Sequence, residues 1–184
     1  MSGHNKWSQI KLKKGKTDAK RSQIFSKYAK LISNEARAAR STGSGQANVN
    51  RDAPMLRAAI ERARKENMPN DNIDRAIKKA TEGSGVALES ILYEGYGPGG
   101  AALLVEVLTD SRNRASNDLK FLFSEHGGNL ASPGAAVWAF EKSPEGWKAT
   151  TTTPLEDADI EKLEKLVEAL EGNEDVQEVI TNAE

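Results

Sequence analysis

The clearest chemical potential in this sequence lies in the cations at its front. Lys6, Lys11, Lys13, Lys14, Lys16, Lys20, Arg21, Lys27 and Lys30 follow one another with Asp18 as the one negative charge among them. Such a run suits phosphate esters, because each phosphate neutralised by Lys or Arg releases counterions condensed on a nucleic acid. Trp7 sits inside the run. An exposed indole among cations can stack on a base for about 1–3 kcal/mol. The competing reading is a solvated helix face plus a basic tail, with Trp7 anchored in a helical bundle. The density and single sign of the charges favour nucleic acid. A second candidate anion site is Arg112 with Arg114, beside the expected start of a helix, whose positive end would favour an anion. Salt bridges to nearby acids are the alternative there.

Residue sets for covalent or metal chemistry are missing. The chain has no cysteine and two histidines, His4 and His126, far apart in sequence, so a zinc site is not expected. His126 falls at a predicted helix end, where a capping role fits. There is no HExxH and no His-backed nucleophile, and the carboxylates of Glu156–Glu178 read as a solvated helix face. The stretch 93–100, YEGYGPGG, is rich in glycine but lacks the Lys-Ser/Thr ending of a P-loop and the strand–GxGxxG–helix context of a dinucleotide site. A turn between two strands explains it better. The sequence therefore predicts a non-enzyme without cofactor or metal.

Elements must position these residues. Ile24, Phe25, Tyr28, Leu31, Ile32 and Ala36 recur at helical spacing, which predicts a helix from Thr17 to the loop Ser41–Gly45. A second helix is predicted after Asp52-Ala53-Pro54, with Asp52 as its cap and Pro tolerated in the first turn. A third starts at Asn70 or Asp71 and fades at Gly83. The pattern then changes. Ser90–Tyr96 and Ala101–Leu108 read as strands, Asn117–His126 as a helix closed by Gly127-Gly128, Ala135–Glu141 and Trp147–Thr153 as strands, Asp157–Leu170 as a helix and Val176–Ile180 as a last strand. From Ala101 the order is β-α-β-β-α-β, the ferredoxin-like arrangement, with Ser90–Tyr96 as an extra strand. The expected fold is α+β, with a three-helix domain over residues 1–83 and a ferredoxin-like domain over 84–184.

Charge follows the same division. Residues 1–83 hold 19 Lys+Arg against 8 Asp+Glu, a net of +11, and residues 84–184 hold 7 against 19, a net of −12, giving the overall −1. A polyanion would be gripped by the first half and avoided by the second, which would orient the protein on its target. Hydrophobic residues at 38% and charged residues at 29% are compatible with a packed core. No apolar run approaches the ~20 residues needed to span a bilayer, and the N-terminus lacks the apolar core of a secretory signal. An intracellular protein is expected.

Several motifs, taken in order, resemble one family: Gly3–Trp7 (GHNKW), Asp18–Arg21 with Ile24–Lys27, Asn67-Met68-Pro69 with Asp71-Asn72-Ile73, Tyr93–Gly100, Leu108–Arg114 (LTDSRNR), Phe123–Leu130 (FSEHGGNL) and Asp175–Val179. Together they are similar to the YebC/PmpR family over nearly the whole chain. Two departures stand out. Asn5 occupies a place where the family usually has Ser. The family also normally carries a further α/β domain between the halves of the ferredoxin-like unit, where this chain runs from Phe140–Lys142 through a short turn into Trp147. The resemblance implies a cytoplasmic, non-enzymatic protein. Members of the family are described as probable transcriptional regulators that bind DNA, and others resemble translation factors that associate with the ribosome, so DNA or ribosomal RNA is the expected partner. An adaptor working through its acidic α+β half is the alternative, and salt dependence of binding would separate the two.

Overall fold

The computed structural model describes residues 18–40, 49–82, 87–143 and 146–184. The chain forms two compact units, with the boundary between Leu88 and Glu89.

The first unit is helical: α1 (Asp18–Ala38), α2 (Pro54–Lys65) and α3 (Asn70–Thr81). Each helix buries one stripe, as an amphipathic sequence dictates. Ile32 and Ala36 of α1, Leu56, Ala59, Ile60 and Ala63 of α2, and Ile73, Ala76, Ile77 and Ala80 of α3 share one core with Met68. The caps differ from expectation. Helix α2 begins at Pro54 behind Ala53, with no side-chain cap, and the Asn50 carboxamide oxygen accepts from the Asp52 N–H just before it. Helix α3 follows Pro69, also without a side-chain cap. Between α2 and α3 the chain turns in four residues. Asn67 takes φ 62, its N–H donates to Arg64 O at 2.9 Å, and the Met68 N–H donates to Ala63 O at 3.0 Å. That pair of bonds is a Schellman closure, with Asn in the left-handed position it tolerates better than most residues.

The second unit contains β1 (Glu89–Tyr96), β2 (Ala102–Thr109), α4 (Arg112–Glu125), β3 (Asn129–Ala131), β4 (Phe140–Ser143), β5 (Gly146–Ala149), α5 (Asp157–Gly172) and β6 (Val176–Thr181). Four strands form an antiparallel sheet in the order β3-β1-β2-β6, and β4 pairs with β5 in a separate hairpin. Strand β2 is buried on both faces, as its unbroken apolar run requires. Leu103, Val105 and Val107 face the core shared with α4 and α5. Ala102 and Leu104 face a second layer made by Ala136, Ala139 and Phe140. Full burial of a leucine such as Leu103 or Leu104 stabilises by roughly 1.5–3 kcal/mol.

The α+β class, with helices first and sheet second, is as the sequence indicated. The strand membership needs correction. The strand expected over Ala135–Glu141 is a 3-10 turn at Val137–Ala139 followed by β4. That hairpin leaves the main sheet, and β5 ends at Ala149 rather than Thr153. The slot for the third ferredoxin-like strand is filled by β1, which lies antiparallel between β2 and β3. The extra strand is thus an integral one. The short strand β3 carries too little pattern to be read from sequence.

One carboxylate explains where the chain turns away from the sheet. Glu94, 6% exposed on β1, accepts from the N–H groups of Gly134 at 2.6 Å, Ala136 at 2.7 Å and Val137 at 2.8 Å. Burial pushes the Glu94 carboxyl up, but the three N–H donors outweigh this and hold it below the usual carboxylate value. Strand pairing beyond Ala131 is given up for these charge-assisted bonds, and residues 132–139 fold over the sheet instead.

Candidate nucleic-acid interface

The helical unit is rich in cations, the side chains that phosphate contact would need. Residues 18–82 hold 14 Lys+Arg against 8 Asp+Glu. Of the residues singled out from sequence, Lys6, Trp7, Lys11, Lys13, Lys14 and Lys16 lie outside the described residues. Lys20, Arg21, Lys27 and Lys30 lie on α1. Arg21 is exposed and the three lysines are half-buried.

Helices α2 and α3 add cations that the sequence reading passed over. Arg57, Lys65, Arg75 and Lys79 are exposed. Among the described residues none of the four makes a salt bridge. Arg51 differs, with its guanidinium 3.0 Å from Asp74, and Lys78 stands 3.8 Å from Glu82. Charge density along the chain pointed to residues 6–30. The α2–α3 cations are spread among acids in sequence, and their exposure shows only in the structure.

The second candidate site is organised differently. Ser111 caps α4, its hydroxyl accepting from the Arg114 N–H at 3.4 Å. Arg112 is paired with Glu89. The Arg114 guanidinium is shared at 2.8 Å between Asp110 and the buried Asp175. Both arginines are therefore joined to carboxylates of their own unit, the alternative weighed from sequence. His126 forms the C-cap of α4. Gly127 follows at φ 75, and the Gly128 N–H closes the end onto Phe123 O at 2.8 Å. The His126 ring lies 3.9 Å from the Glu125 carboxylate, in a place that suits capping. No cluster of three or more metal-binding side chains occurs among the described residues. No helix among them is long and apolar enough to cross a membrane.

Comparisons with known proteins agree with this architecture. The model of the TACO1/YebC protein N-terminal domain matches residues 5–83. The model of the TACO1/YebC second and third domain matches in two stretches, 88–145 and 142–183, which overlap at residues 142–145. A "Probable transcriptional regulatory protein" of Desulfosudis oleivorans is 46% identical over 187 residues, covering 100% of this chain and 72% of that protein. One of Syntrophobacter fumaroxidans is 53% identical over 143 residues, covering 77% of this chain and 55% of its own length. Relative to such a protein, the chain matches little more than half the length. A crystal structure of a conserved hypothetical protein from Aquifex aeolicus superposes with a TM-score of 0.76 at 32% identity, covering 97% of this chain and 96% of that one. On these matches, which extend over both of its units, the chain belongs to the TACO1/YebC family.

Proposed function

We propose that this protein is a non-enzymatic regulator of gene expression that binds nucleic acid, DNA or ribosomal RNA, through its basic helical unit. The observation that carries this reading is the excess of 14 cations over 8 acids in residues 18–82, displayed on helices whose apolar stripes are used up in the core. Cations held outward on a packed scaffold meet phosphates without first having to be ordered. The relatives named as transcriptional regulatory proteins support the regulatory role. The acidic second unit is repelled by polyanions through its charge alone. On this reading the protein works in the cytoplasm, and Lys6, Lys11, Lys13, Lys14 and Lys16 extend the basic surface, with Trp7 among them. Arg112 and Arg114 serve the fold of the second unit rather than the interface, because their carboxylate partners are supplied within that unit.

Crosslinking in cells followed by sequencing of the attached nucleic acid tests the proposal. Ribosomal RNA reads support a role in translation, and promoter DNA reads a role in transcription. Recovery of neither above an untagged control overturns the reading.

A further inference from the structure

We propose that the outward faces of α2 and α3 bind the phosphate backbone of double-stranded nucleic acid through Arg57, Lys65, Arg75 and Lys79. The inference rests on the nucleic-acid reading above and specifies its surface and substrate class.

Local energetics account for two of these side chains and not for the other two. Lys65 and Lys79 lie in the last turns of their helices, where the dipole favours cations, and taken alone would carry no argument. Arg57 and Arg75 are different. Arg57 closes the first turn of α2, which has no acid, so its charge opposes the helix dipole. Arg112 and Arg114 occupy the same adverse place on α4, but there Glu89, Asp110 and Asp175 compensate them. Arg57 makes no salt bridge among the described residues, although Glu61 stands one turn further along α2. Arg75 stands one turn before Lys79 on the same face of α3, a mutually repulsive spacing. Asp71, one turn earlier on that face, makes no salt bridge with Arg75. Charges placed against local preference and left without internal partners are what an external polyanion would satisfy.

On α2 and α3 themselves, rigidity and the absence of an aromatic side chain favour a duplex over a single strand. The two helices are joined by the closed turn at Asn67-Met68. Arg64 Nε of α2 reaches Asn70 Oδ1 of α3 at 3.4 Å, and Arg51, just before α2, reaches Asp74 of α3 at 3.0 Å. A fixed array of charges suits the regular phosphates of a double helix. Single strands are gripped mainly by stacking on exposed aromatics. The described aromatics of this unit are Phe25 and Tyr28, both packed against its core.

The test is a titration of the full chain against a labelled DNA duplex and the matching single strand, over a range of KCl. The wild type is expected to prefer the duplex. Replacing Arg57, Lys65, Arg75 and Lys79 together by Ala is expected to reduce the log-affinity versus log-salt slope by about 3–4, near 0.9 for each lost phosphate contact. Alanine favours helix, and an unchanged circular dichroism spectrum confirms that the variant folds. The charge-preserving pair Arg75→Lys and Lys79→Arg, and the control pair Lys120→Ala and Lys165→Ala on the second unit, are expected to keep the wild-type slope. An unchanged slope in the fourfold variant, or equal affinity for single strand and duplex, overturns this inference while leaving nucleic-acid binding standing. A wild type that binds neither probe overturns both.

Discussion

Arg114 and Asp175 meet at 2.8 Å although 61 residues separate them, and the contact ties the start of α4 to the approach of β6. Asp175 is 7% exposed. It also accepts from Thr109 Oγ1 at 2.8 Å, while Arg114 reaches Asp110 at the same distance. A buried carboxylate needs such partners, and removing one leaves the others unsatisfied.

Asp175→Asn is therefore expected to destabilise the second unit by about 1–3 kcal/mol, read by urea unfolding. Arg114→Gln is expected to lower the melting temperature and leave nucleic-acid affinity at the wild-type value. Lost affinity with unchanged stability would instead make Arg114 an interface residue.

Glu94 holds the turn over the sheet with three backbone bonds, and its folded-state carboxyl lies below the usual value. The sign follows from linkage. The stabilisation is fully present above the unfolded carboxylate pKa of about 4.3, and is lost as pH falls through the lower folded value. Glu94→Gln presents an NH2 group to donors and is expected to cost about 1–3 kcal/mol at neutral pH. The gap between wild type and variant should narrow as pH drops below about 4.3. A gap independent of pH would show that the charge on Glu94 is unimportant.

Gly95 is where backbone and ring come too close for any side chain. A Cβ there would lie 2.6 Å from Phe123 Cε1 and 2.8 Å from Asn129 O. Gly95→Ala is expected to destabilise by about 1–3 kcal/mol through overpacking. A melting temperature equal to wild type would contradict that packing.

Much of the fold was legible because its signals are local. The period of Leu56, Ala59, Ile60 and Ala63 gave α2, and the unbroken run Leu103-Leu104-Val105 gave a strand covered on both faces. The hairpin at β4–β5 and the place of β1 between β2 and β3 were not legible. Both are fixed by pairings between distant segments, and Glu94 likewise captures N–H groups some 40 residues later, with no local pattern announcing those bonds. The interface was half legible for the same reason. A dense run marks Lys20 to Lys30, whereas Arg57 and Arg75 gain meaning only from the carboxylates that fail to meet them.

Ser143 and Gly146 end the pairing of β4 with β5, where the two stretches of the family match overlap. A flexible Gly/Ser insert between them is expected to cost only about 0.6 kcal/mol per doubling of loop length. Loss of cooperative unfolding on insertion would show that the short connection is essential to the second unit.

The central claim is that cations of the helical unit meet phosphate, and the salt dependence of affinity for a structured ribosomal RNA fragment or a DNA duplex tests it most directly. The account predicts a steep fall in affinity as salt rises, and loss of binding when Lys11, Lys13, Lys14 and Lys20 are changed to Glu. Affinity that stays flat with salt, or that survives this reversal of charge, would contradict it.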